Sequence, residues 1–367
     1  MSYLKEQIIT YMGNKRKLLT HIEDQILIIK NILQKDKLTS ADAFSGSGVV
    51  SRLLKTHSTN LYTNDIAGYS KTLNECYLFS PNEKEKKKID ELIKKANTYV
   101  ETNPDVPAYI SKHWAPNNDK NIEQGERVYF TNENAKRIDS YKYFIDNYVE
   151  NKYKSILLAN LIVKASIHTN TNGQFSAFYK NGSVGAYGGK NEIDLQRITK
   201  KIKLEMPLFE VNKCKINISQ CDTNLWVKKL PKVDLMYLDP PYNKHPYVIY
   251  YFLLDIINNW NSEQNIPNTT RGQPKNWQTS EYNSFTHAEK AFTDLINNIN
   301  AKFILLSYNN GGIIPLEKIQ TILEKKGKVE KIPVQHKTYN RLKGIANYKK
   351  KSEKESIKEY MWLVNCY

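Results

Sequence analysis

Val233-Asp234-Leu235-Met236-Tyr237-Leu238-Asp239-Pro240-Pro241-Tyr242-Asn243 begins as an apolar strand and stops abruptly. Two prolines remove two backbone donors and fix two φ angles, so the chain leaves the sheet after Leu238. One carboxylate (Asp239), a rigid elbow (Pro240, Pro241) and one ring (Tyr242) project from the strand end. In an open α/β sheet, ligands bind at the carboxyl ends of the strands. A carboxylate beside a turn carbonyl accepts hydrogen bonds from an amino group, and a neighbouring ring stacks on a flat base. The bland alternative is a turn that merely ends a strand.

A second motif, Asp42-Ala43-Phe44-Ser45-Gly46-Ser47-Gly48, argues against that alternative. Leu38-Thr39-Ser40-Ala41 runs into it, and Val49 to Lys55 follows with helical amphipathicity. Strand, Gly-rich turn, helix is the layout of a nucleotide-type cofactor loop, whose glycines let backbone approach ligand. It is no P-loop, since no Gly-Lys-Ser/Thr follows. The third glycine of the dinucleotide fingerprint is also missing. Asn60-Leu61-Tyr62-Thr63-Asn64-Asp65 then reads as a strand ending in an acid. Asp65 falls about where a ribose-binding carboxylate belongs, ~20 residues past the glycines; a helix N-cap is the competing reading.

With these blocks in hand, the chain resembles the Dam-like group of S-adenosylmethionine-dependent N6-adenine DNA methyltransferases. Tyr11-Met12-Gly13-Asn14-Lys15-Arg16-Lys17-Leu18-Leu19, Asp42 to Gly48, and Asp239-Pro240-Pro241-Tyr242 stand in that family's order. The resemblance implies a cofactor pocket with Tyr11 and Lys15 from the first block. The Gly-rich block, with Asp42, Phe44, Gly46, Ser47 and Gly48, would hold the methionine part. Asp65 would hold the ribose, and Asp222 would lie near the cofactor's adenine. Asp239, Pro240 and Tyr242 would be catalytic. Arg127 to Asn134, Asn243 to Trp260, Ser307 to Gly312 and Tyr339 to Gly344 extend the likeness over most of the chain.

The implied fold is α/β: a Rossmann-like methyltransferase sheet, mostly parallel with an antiparallel edge. Residues 1–98 and 206–367 would form the catalytic domain, and 99–205 an inserted DNA-recognition region. Leu18, Leu19, Ile22, Ile26 and Ile29 predict a helix within 5–35. Residues 39–80 read as βα units, and 81–98 as a Lys/Glu-rich helix. From 99 the rhythm breaks: Asn103-Pro104-Asp105-Val106-Pro107 is loop-like, 137–168 is helical, and 170–190 shows no period. Strands are expected at 211–219, 233–238, 303–307, 328–334 and 360–366.

Composition is consistent with a polyanion partner. Fifty-four Lys and Arg stand against 38 acids, a formal net charge of +16, which suits double-stranded DNA; a lysine-rich background is the alternative. Twenty-five tyrosines offer stacking rings, Tyr247, Tyr250 and Tyr251 among them, although Tyr250, Tyr251 and Phe252 read equally as the opening of a core helix. Lys244 and Arg271 are candidate phosphate contacts, or plain surface charge. Cys76, Cys214, Cys221 and Cys366 form no Cys-x-x-Cys pair, so no disulfide framework or zinc site is implied. His113, His168, His245 and His336 show no ligand spacing, and no metal is expected. No signal peptide and no apolar run of ~18 residues is present. A soluble, cytoplasmic, nucleoid-associated protein with no membrane partner is expected. Restriction–modification members of the family would pair it with a restriction endonuclease; oligomeric state is not legible.

The expected chemistry follows from adenine. Its amine lone pair is delocalised into the ring. Asp239 and the Pro240 carbonyl would accept the two amine hydrogens, draw the nitrogen toward tetrahedral geometry and free the lone pair for in-line methyl transfer. The base must flip out of the duplex first. Rival readings are the same chemistry on RNA, a cytosine amino methyltransferase, which would usually carry Ser at position 239, and a non-catalytic nucleic-acid-binding protein on this fold.

Overall fold

The structure, a computed structural model, describes residues 2–103, 106–275, 277, 279–334 and 358–367. The Tyr339–Gly344 block, Pro104, Asp105 and His336 lie outside the described residues.

Along the chain run α1 (Ser2–Lys5), α2 (Leu19–Leu33), β1 (Leu38–Asp42), α3 (Val49–His57), β2 (Ser58–Asp65), α4 (Gly68–Tyr77), α5 (Glu83–Thr102) and α6 (Ile110–Trp114). Next come α7 (Asn132–Tyr148), α8 (Asn151–His168), β3 (Lys180–Asn181), β4 (Val184–Gly185), α9 (Leu195–Thr199) and β5 (Lys215–Gln220). The remainder is α10 (Thr223–Val227), β6 (Val233–Leu238), α11 (Tyr247–Asn259), α12 (Ala288–Asn298), β7 (Ala301–Asn309), α13 (Leu316–Glu324), β8 (Lys328–Val334) and β9 (Glu359–Asn365).

The chain separates into two compact units. The first comprises Met1–Leu19, Ser45–Cys221 and Tyr247–Gln278. In it β2 and β5 pair in parallel, from Asn60 opposite Lys215 to Asp65 opposite Gln220. One apolar core joins α4, α5, α7, α8 and α11 through Leu73, Ile93, Ile138, Leu161 and Leu254. Residues 99–205 therefore share a core with the helix after β2 and with α11. α8 is buried round most of its circumference and α7 along much of its length, so both required cover, and α4, α5 and α11 supply it. The aperiodic 170–190 stretch holds the short antiparallel β3–β4 hairpin.

The second unit comprises Thr20–Phe44, Asp222–Pro246 and Thr279–Tyr367. Its strand order is β1-β6-β7-β9-β8. β1, β6 and β7 are parallel, and β9 runs antiparallel between β7 and β8. This is the Rossmann-like, mostly parallel arrangement with an antiparallel edge that the sequence predicts. The acid inside the apolar β6 run is also accounted for. Asp234 meets Lys35 at 2.8 Å, Lys302 at 3.0 Å and the Thr39 N–H at 3.0 Å. Burial opposes its charge, but these donors outweigh burial and hold its pKa below the ordinary value.

A second buried acid supports α6. Asp139 of α7 accepts the N–H groups of Tyr109, Ile110 and Ser111 at 3.2, 2.8 and 3.1 Å and the Ser111 hydroxyl at 2.6 Å. Burial still pushes its pKa up from 3.8 to about 6. A raised carboxylate pKa means the folded state binds the proton more tightly. Its stabilising contribution is full below the unfolded value and is lost as pH rises through the folded one. Asp139→Asn should cost about 1–3 kcal/mol by weakening the donor set. The gap in melting temperature between wild type and variant should be widest near pH 4 and narrow through about pH 6. Thermal melts of both proteins across that range check it; a gap that widens with pH would contradict the assignment.

Candidate active site

In the first unit the Gly-rich turn, the N-terminal block and the end of β2 meet. Gly46 and Gly48 both take positive φ, +49° and +77°, the region that favours glycine. Gly48 caps α3 in left-handed geometry. A Cβ at Gly46 would stand 2.9 Å from Tyr11 Cε1, so the Tyr11 ring lies directly on the turn. Gly48 N donates to Ser45 O at 2.7 Å, and Ser45 N to Asn64 O at 2.9 Å. Ser47 is buried in the same turn.

Asp65 ends β2. Its carboxylate accepts Gly46 N–H at 2.7 Å and Ala67 N–H at 2.9 Å. Desolvation raises its pKa, and the Ala67 and Gly46 donors oppose the shift. The helix-cap reading of Asp65 is thus met in part: it closes a turn before α4, whose N-cap is Ala67, and it also braces the glycine turn. Lys15 is buried and opens a 3-10 turn, Lys15–Leu18, capped by the Asn14 side chain. Its Nζ donates to Gly13 O at 3.1 Å. Tyr11, Lys15, Gly46, Ser47, Gly48 and Asp65 all belong to this unit.

The second unit holds the remaining residues. Asp42 is buried at the end of β1, in register with Tyr237 of β6. Phe44 meets the Tyr282 ring edge-on at 5.4 Å. Asp222 is the N-cap of α10, accepting Leu225 N–H at 3.0 Å. Its charge helps raise the Tyr282 pKa, after burial. Asp222, Phe44 and Tyr282 thus form one neighbourhood.

Asp239 stands at the end of β6, as the prolines dictate, with Pro240 buried behind it. The Tyr242 hydroxyl donates to Asp239 Oδ1 and meets Glu359 Oε1 at 3.3 Å. Burial, then the charges of Asp239 and Glu359, hold the Tyr242 pKa far above its ordinary value, so the phenol remains a protonated donor. The ring is only 8% exposed, lying 4.9 Å from the Tyr308 ring in an edge contact. Ile313 N–H bonds Tyr242 O at 2.8 Å, and Asn283 Nδ2 bonds Asn243 O at 2.7 Å, which fixes the turn. Glu359 and Tyr282 escaped the sequence reading, and Tyr308 entered it only as part of the Ser307–Gly312 block, with no role. Glu359 reaches Tyr242 across 117 residues, and no local pattern signals that. Of the phosphate candidates, Lys244 is exposed and Arg271 half-buried. Tyr251 and Phe252 are core, while Tyr250 stays half-exposed.

The chain is similar in sequence to known proteins. The family model for D12 class N6 adenine-specific DNA methyltransferase matches residues 11–322. The type II methyltransferase M.NlaIII of Neisseria lactamica is 28% identical over 361 residues, covering 96% of this chain and 98% of that protein. Modification methylase StsI of Streptococcus sanguinis is 30% identical over 335 residues, 86% of this chain and 46% of its own length. The type II methyltransferase M.CviAII of Paramecium bursaria Chlorella virus 1 is 24% identical over 362 residues, with 97% and 98% covered. The chain thus spans nearly all of M.NlaIII and M.CviAII but about half of StsI. The match runs from the Tyr11 block through the glycine turn and the Asp239 turn to α13, and by it the chain belongs to the D12 class of N6 adenine-specific DNA methyltransferases.

Proposed function

We propose that this methyltransferase takes S-adenosylmethionine as its donor and methylates adenine N6 at a specific site in double-stranded DNA, with Asp239, Pro240 and Tyr242 as the catalytic group. One observation carries the catalytic assignment. The Asp239 carboxylate ends a buried strand on a rigid turn and already accepts an O–H donor from Tyr242. An adenine amine can take that donor's place. Asp239 and the Pro240 carbonyl then accept the two amine hydrogens, which localises the nitrogen lone pair. Tyr242, released from Asp239, turns out from Tyr308 and stacks on the base. Positioning and preorganised acceptors supply the rate.

The residues fit the donor. Gly46 admits close backbone approach, because a side chain there would strike Tyr11. Asp65 offers a carboxylate to ribose hydroxyls, and Lys15 an ammonium to a carboxylate. When bound, S-adenosylmethionine supplies an electrophilic methyl on a sulfonium. Tyr11, Lys15, Asp42, Phe44, Gly46, Ser47, Gly48, Asp65 and Asp222 hold it in this reading. Residues 99–205, with the β3–β4 hairpin, carry target choice.

The type II names of the relatives support pairing with a restriction endonuclease, and DNA modification supports a cytoplasmic, nucleoid-associated location. No helix of the described residues is long and apolar enough to cross a membrane.

The test compares labelled-methyl transfer to duplex DNA and to RNA of matching sequence over a salt series. Transfer to DNA should dominate. Affinity should fall steeply with salt, with a log–log slope of about −0.9 per phosphate contacted. Preference for RNA, or a flat salt response, would overturn the DNA reading of the +16 charge.

A further inference from the structure

The helix that follows the Pro240–Pro241 turn, α11, presents three residues at four-residue spacing, Tyr247, Tyr251 and Asp255. Side chains four apart share one helix face. That face meets the N-terminal block at Tyr11 and Met12 and the head of α4 at Tyr69.

The Tyr11 ring is stacked on two rings of α11. Its centroid lies 5.2 Å from Tyr247 at 15° and 4.7 Å from Tyr251 at 23°. The Tyr251 hydroxyl accepts the Met12 N–H at 2.6 Å, and the Tyr247 hydroxyl donates to Met12 O at 3.4 Å. Both bonds hold the backbone beside Tyr11. Two turns along from Tyr247, the buried Asp255 faces the backbone N–H groups of Tyr69 and Gly68, which oppose the rise that burial gives its pKa; these are the first residues of α4 after the Asp65 turn. Tyr69 closes the group, 6.5 Å from Tyr11 and 6.1 Å from Tyr251. The helix is distorted at Tyr251 (φ −130°, ψ 16°), the residue whose hydroxyl meets the Met12 backbone. Helix kinks have local causes, and here the departure coincides with that bond.

We propose that Tyr247, Tyr251 and Asp255 are positioning residues for cofactor binding: their face of α11 presses Tyr11 onto Gly46 and fixes the Asp65 turn at the head of α4. None of the three needs to touch the cofactor. The inference rests on the reading that Tyr11, Gly46 and Asp65 hold it. A role in stability alone would lower the melting temperature and leave cofactor KM unchanged.

The experiment uses the full chain in pairs of variants. Tyr251→Phe keeps the stack and Tyr251→Leu removes it; Asp255→Asn keeps an acceptor for the α4 N–H groups and Asp255→Leu does not. S-adenosylmethionine is titrated calorimetrically, and steady-state rates are measured on duplex DNA, with thermal melts on every variant. The leucine variants should raise Kd and KM for the donor by about tenfold or more with kcat at saturation nearly unchanged, whereas Phe and Asn should stay within about threefold of wild type. Leucine variants that melt cooperatively yet bind like wild type would overturn the proposal. Should either fail to fold, Tyr247→Leu, at the half-exposed end of the stack, decides by the same criterion. Tyr11→Ala separates the two levels. If it too binds normally, the cofactor assignment fails; if it loses binding while the α11 variants keep it, only the positioning role fails.

Discussion

Replacing Asp239 by alanine is expected to lower turnover by about 10²–10³-fold, the scale seen when one preorganised electrostatic partner of a transition state is removed. That corresponds to roughly 3–4 kcal/mol of barrier. Asp239 is held by the end of a fully buried strand and by two prolines. In the variant the Tyr242 hydroxyl keeps Glu359 as an acceptor, and the turn keeps its bonds from Ile313 and Asn283. Cofactor affinity and melting temperature should therefore change little. Single-turnover rates with labelled donor, beside a calorimetric titration, measure both. A variant within tenfold of wild-type turnover would remove Asp239 from the acceptor role.

Gly46→Ala should have the second largest effect, on cofactor affinity. At φ +49° an L-residue bears about 1–2 kcal/mol of strain. The new methyl would also meet Tyr11 Cε1 at 2.9 Å, Cζ at 3.3 Å and the hydroxyl at 3.4 Å. Tyr11 cannot retreat easily, because Tyr247 and Tyr251 stack on it. Either the ring or the turn must shift, and the Gly46 N–H to Asp65 bond shifts with the turn. S-adenosylmethionine affinity should drop by about 10–100-fold, one decade for each ~1.4 kcal/mol. Gly182→Ala is the control. Its φ of +61° imposes similar strain, but a Cβ there meets nothing within 4 Å. Equal affinities in the two variants would show that contact with Tyr11 is irrelevant to the pocket.

Local chemistry explains what the sequence disclosed. Prolines 240 and 241 end β6 where the strand stops, after Leu238. The glycine pair marks the turn because Gly46 passes under the Tyr11 ring and Gly48 beside Asn74, both at positive φ. β8 spans the expected 328–334, and β9 is displaced by one residue from 360–366. What was hidden depends on distant partners. The apolar residues of α7 and α8 say that something covers them, not what, so the core they share with α4, α5 and α11 was invisible. The β3–β4 hairpin has two residues per strand, too few to show a period of two. Tyr242 looked like an outward stacking ring; Glu359 and Tyr308, far along the chain, turn its hydroxyl and ring inward. Asp222, assigned through the family pattern, also does the local work of an N-cap.

In the mechanism proposed above, the Asp239–Tyr242 turn presents acceptors to an adenine amine. The most direct test is the identity of the product. Duplex DNA is incubated with wild-type enzyme and labelled S-adenosylmethionine, digested to nucleosides and resolved by mass spectrometry, with Asp239→Ala in parallel. N6-methyldeoxyadenosine is expected from the wild type and almost none from the variant. Methyl on cytosine, or equal yields of methyladenine from the two proteins, would contradict it.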